Sequence, residues 1–170
     1  MPTPEKHQDG ELAFSTLNEK GKELSPSQVR AQVLAQHQLV RAGLTRLTEL
    51  IPQVLAGDPE AVLNLKAQVA RFLVNLDRHM TFEETVLGPC LLDVDPLRPA
   101  RLNQLQADHD QQRHLLRTFA SAPGDDPQAL ADRVLLLAVS LTTDMETEER
   151  EILDPRILRD DTISIDQSSG

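Results

Sequence analysis

Four stretches of this chain repeat apolar residues at steps of three and four, and each opens beside a proline at a helix-start signal. That spacing puts the apolar side chains on one face of an α-helix, and a one-faced helix is stable only when partners cover the face. The first helix opens at Ser25-Pro26, an N-cap followed by proline at the first helical position, and is expected to run to about Ile51, where Pro52 ends or kinks it. The second opens at Asp58-Pro59-Glu60-Ala61 and runs to roughly Leu92, with Pro89 disturbing its last turn. The third begins near Asp95-Pro96 or Pro99 and ends around Ala122-Pro123-Gly124. The fourth opens at Asp126-Pro127-Gln128-Ala129 and ends near Leu153, before Pro155. Short connections make long helices antiparallel neighbours, so the expected fold is all-α, an up-down-up-down four-helix bundle over residues 25–156. Aromatic residues are only 2 % of the chain, which leaves strands little to be built from.

The flanks differ in character. Residues 1–24 are polar and read as a flexible arm, with a short helix expected at Glu11–Leu17; residues 157–170 read as a flexible tail. A net charge of −10 argues against a nucleic-acid surface, which needs clustered Lys and Arg. No apolar run approaches the ~18 residues of a membrane span, and the N-terminus lacks a signal-peptide core. A single cysteine, Cys90, excludes an internal disulfide, and together these features point to a cytoplasmic protein.

An internal repeat sharpens the reading. His37–Arg41 (HQLVR) is echoed by His109–Arg113 (HDQQR), and His79–Glu84 (HMTFEE) by Asp144–Glu149 (DMETEE), as if two related helical hairpins were packed about a pseudo-two-fold axis. The polar residues of these motifs interrupt the core stripes. The first stripe reads Val33, His37, Val40, Leu44, Leu47, Ile51; the second Leu65, Val69, Phe72, Leu76, His79, Glu83, Val86, Cys90. The third passes through Leu102, Leu105, His109 and Leu116, and the fourth through Leu130, Val134, Leu137, Leu141, Asp144, Glu148 and Ile152.

Three histidines and three carboxylates therefore converge on the bundle axis. A buried carboxylate costs several kcal/mol unless a cation compensates it. Imidazole and carboxylate without thiolate suit iron, manganese or zinc. Arg41 and Arg113 either pair with core carboxylates or reach the surface. Glu84 and Glu149 fall one position off the seam and read as solvated or Arg-paired; Met80 and Met145 read as packing, His114 as surface and Cys90 as a small buried residue.

On these motifs, over roughly residues 25–155, the chain resembles the hemerythrin-like, or HHE cation-binding, family. The resemblance implies two iron ions, with another divalent metal as the substitute. His37 and His79 would serve one iron, His109 and Asp144 the other, with Glu83 and Glu148 bridging, and water, hydroxide or oxo between the metals. The implied partner is dioxygen or another small diatomic ligand. Asp144 stands where the family has histidine, and Arg113 where oxygen carriers have another, so a modified site is expected rather than a reversible carrier. Three functions follow: binding or sensing a small molecule or handling iron; a di-iron oxidase or peroxidase; or a metal-free interaction module whose core carboxylates are neutralised by Arg41 and Arg113.

Overall fold

The computed structural model describes residues 23–94, 98–121 and 126–160. The helix expected at Glu11–Leu17 and the last ten residues lie outside them. Helix α1 spans Pro26–Glu49, a short α2 Ile51–Leu55, α3 Pro59–Phe82, α4 Gly88–Val94, α5 Arg98–Ser121 and α6 Pro127–Glu151, with one π-helical turn, Glu83–Leu87, joining α3 to α4. The four long helices form the bundle: α1 packs against α3 and α6, and α5 against the same two. None of the described helices is long and apolar enough to cross a membrane.

The start signals act as read. Asp58 caps α3 by accepting from the Glu60 and Ala61 amides at 2.9 and 3.4 Å, and Asp126 caps α6 through the Gln128 amide at 3.1 Å. The Ser25 amide donates to Gln28 Oε1 at 3.0 Å, one half of a capping box. At Leu50 the chain breaks α1 and restarts with Pro52 in the first turn of α2. Gly43 lets α1 lie close on α3, because a Cβ there would fall 2.8 Å from the Phe72 ring.

The apolar core is split in two. One block gathers Val40, Leu44, Leu47, Leu65, Leu76, Met80, Leu137, Leu141 and Met145. The other gathers Val29, Val33, Phe82, Leu87, Leu91, Leu105, Ile152, Leu153 and Leu158. His37, His79, Glu83, His109 and Glu148, all buried, occupy the layer between them. Hydrocarbon on both sides excludes water from that layer, so its polar groups must satisfy one another or a guest.

Two expectations are corrected. The second stripe leaves its course after Glu83: Val86 and Cys90 are half-buried, while Leu87 and Leu91 are fully buried. The π turn inserts one extra residue, which advances every later core position by one. Pro89 supplies the reason, since its ring would clash with a carbonyl of the preceding turn and it has no N–H to return. Residues 157–160, expected to open a flexible tail, are instead held against the bundle. Leu158 is buried in the second block, and Asp160 accepts from the Ser27 amide at 2.9 Å and the Ser27 hydroxyl at 2.6 Å at the start of α1. Residues 152–160 thus form a strap across that end of the bundle, aided by Arg30 Nε donating to the Leu153 carbonyl at 2.6 Å.

Candidate metal centre

Each of the three buried histidines is gripped from outside and points inward. His37 Nδ1 is 2.8 Å from Glu149 Oε1, His79 Nδ1 2.9 Å from Gln36 Oε1, and His109 Nδ1 2.9 Å from Glu84 Oε1. These oxygens can only accept, so each Nδ1 carries the proton and donates it. The outer carboxylates are anchored in turn: Arg41 donates to Glu149 Oε1 at 2.8 Å, and Arg113 grips Glu84 through two nitrogens at 2.7 and 3.0 Å. The arrangement repeats across the pseudo-two-fold, His37–Glu149–Arg41 on one side and His109–Glu84–Arg113 on the other.

The inward nitrogens meet carboxylates. His37 Nε2 lies 3.4 Å from Glu83 Oε1 and 3.2 Å from Glu148 Oε2, and His79 Nε2 lies 3.5 Å from Glu83 Oε1. These spacings are long for hydrogen bonds, and His37 Nε2 and Glu83 Oε1 are buried with no hydrogen-bond partner. Donor atoms of His37, His79, Glu83 and Glu148 all lie within 4.8 Å of one another. A cation bonded to N and O at about 2.0–2.2 Å spreads its ligands by roughly 3 Å, so the donor set fits a divalent metal. The other oxygen of Glu83, Oε2, reaches His109 Nε2 at 2.9 Å.

Asp144 stands apart. It is half-buried, its neighbour Met145 takes the core seam, and its Oδ2 accepts from the buried Gln112 amide at 3.0 Å. Asp144 and Gln112 line a cavity of about 10 Å³ together with His79, Glu83, Glu148, Val40, Leu76, Leu141 and Met145. That is room for about one water-sized guest.

Charge in the layer is tightly linked. Burial works against a charged His37, but Glu148 and Glu83 outweigh it and raise its pKa to about 10. Burial lowers His79 to about 4, against the field of Glu83. Burial also opposes ionisation of Glu83, yet His79, His109 and His37 hold it well below the usual carboxylate range. Burial, then repulsion from Glu83, raises Glu148. Protons on histidine thus neutralise the carboxylates where a cation would otherwise do so.

Arg41 and Arg113 pair with the flanking Glu149 and Glu84, leaving Glu83 and Glu148 to the histidines. The neutralisation expected of a metal-free interaction module is therefore missing among the described residues. His114 is exposed, and Met80 and Met145 are packed in the core. Sequence reasoning passed over Gln36 and Gln112, although each sits three residues after a core position, Val33 and His109, and so on the same helix face.

A family model, the hemerythrin HHE cation-binding domain, matches residues 29–154. The chain belongs to this family. No curated protein and no solved structure matches it. This hemerythrin domain keeps a buried cluster of histidine and glutamate compatible with metal binding. Its histidines are oriented by carboxylate and amide groups beyond them, and such partners typically contribute 10–100-fold in metal affinity. Glu149→Gln is accordingly expected to weaken metal binding about 10–100-fold in a competitive-chelator titration. Unchanged affinity would detach Glu149 from the site.

Proposed function

We propose that this hemerythrin domain holds two iron ions between its apolar blocks and uses them to bind or sense dioxygen or a related small molecule, or to handle iron. His37, His79, Glu83 and Glu148 would hold one ion, and His109 and Asp144 the other, with Glu83 and Glu148 shared. One observation carries the reading: three histidines fixed through Nδ1 all turn Nε2 onto buried carboxylates, with two atoms of the cluster unsatisfied. Bound there, iron would supply a redox-active centre able to accept a small ligand. The protein's part is to fix the imidazole tautomers, exclude water with Leu76, Leu141 and Met145, and leave space beside Asp144. A second reading, oxidation of ferrous iron or breakdown of peroxide, is favoured by the Asp144 carboxylate on the cavity wall.

The test is iron content per chain after anaerobic reconstitution, with optical spectra recorded before and after reduction and exposure to air. About two irons and a spectrum that changes reversibly with oxygen support binding or sensing. Sustained turnover of ferrous ion or peroxide supports the enzyme. A chain that takes up no metal overturns both.

The charge pattern adds a pH signature. The folded, metal-free domain keeps a proton on His37 until about pH 10, whereas the ordinary histidine value is 6.5. That stabilisation is complete below pH 6.5 and is lost as pH rises towards 10. Denaturant melts of the metal-free domain are expected to lose roughly 2–4 kcal/mol across this window. The metal-loaded domain, its imidazoles already deprotonated, should lose far less. Equal losses in both forms would show that metal does not replace the His37 proton.

A further inference from the structure

The two halves of the polar layer are unequally prepared. On the His37 side four buried residues converge and two atoms lack hydrogen bonds. On the other side His109 Nε2 already closes on Glu83 Oε2 at 2.9 Å. Asp144, opposite His109, is outside the converging set and is held by Gln112 at 3.0 Å. Gln112 is 4 % exposed and one turn beyond His109 on α5, so its amide is a fixed part of the site. A cation on the His37 side displaces a proton, as on the His109 side, but its inward donors lie no closer to one another than 3.2 Å. A cation on the His109 side must first separate His109 from Glu83 and draw Asp144 away from Gln112, and each separation subtracts from its affinity.

We propose that the two positions fill in order, the His37–His79–Glu83–Glu148 position first and tightly, the His109–Asp144 position second and weakly, with Gln112 setting the difference by holding Asp144. This rests on the metal-binding reading above and adds to it a hierarchy that the repeat alone would not predict. Gln112 is a positioning residue: it acts on the second cation through Asp144. The second position is then the exchangeable one, suited to picking up and releasing a divalent ion.

Anaerobic titration of the full chain with Co²⁺, followed by calorimetry and visible absorption, tests this. Two classes of site separated by at least about tenfold in affinity are expected. Gln112→Leu, which keeps bulk but removes the donor, should tighten the second class by about tenfold and leave the first unchanged. Asp144→Asn should weaken the second class alone, which guards against a Gln112 variant that is simply misfolded. Two equal sites, or a Gln112 variant that loosens both classes, would overturn the ordering while leaving the metal site intact. A chain that binds no Co²⁺ overturns the metal-binding reading itself.

Discussion

Replacing Glu83 with glutamine is expected to strip the domain of metal. Among the described residues, Glu83 is the carboxylate that meets all three buried histidines: Oε1 faces His37 and His79, and Oε2 is bound to His109. An amide would turn N–H donors on histidines that already carry protons, and would remove the anion that holds those protons in place. Because orienting groups outside a metal site alone cost 10–100-fold, losing the shared carboxylate should cost more than about 100-fold. Elemental analysis after iron reconstitution measures it, with the exposed Glu146→Gln as control. The raised pKa of His37 should fall as well, because Glu83 is one of the two carboxylates that support it. A Glu83→Gln protein that retains stoichiometric iron would place the metal elsewhere.

A second large effect is expected from straightening the π turn. Deleting the exposed Thr85 together with Pro89→Ala should restore an α-helix through this region. The deletion brings Leu87 and Leu91 back into phase with Leu76, His79 and Glu83, so the core survives and thermal stability should hold or rise. The metal site should suffer. The turn carries both Glu83 and Glu84, which reach the two ring nitrogens of His109. Straightened, Glu84 would swing away, and metal affinity should fall at least about tenfold with the loss of the His109 Nδ1 acceptor. Unaltered affinity with normal melting would show that the turn is not what aims Glu84.

These two residues also mark where the sequence could be read and where it could not. An α-helical period is enough to place His37, His79, Glu83 and Glu148 in the core, and it places His109 there too although the stripe of its helix is the most broken. The period fails after Glu83, because one inserted residue has no signature in spacing. Its only trace is Pro89, read as a disturbance of the last turn, when the structure relieves it a turn earlier. Of the two readings of Glu84 and Glu149, solvated or Arg-paired, the structure shows the Arg pairing, yet their hold on the histidines depends on the angle between helices, which no single-helix pattern contains. Asp144 lay on the stripe, but Met145 is the bulkier apolar neighbour and takes the core position. Leu158 was hidden by the polar residues around it; only the open end of the bundle explains its burial.

The strap has one more consequence. The Asp160 side chain is hydrogen-bonded to Ser27, so the described chain enters and leaves the bundle at the same end, one side chain apart. A domain whose ends meet can be opened elsewhere and sewn shut there, or carried within a loop of a larger protein, without disturbing its packing. Tension applied to the two ends would fall first on the Ser27–Asp160 clasp and only later on the helices holding the histidines. The histidine and glutamate layer is thus mechanically insulated from whatever the chain is tethered to.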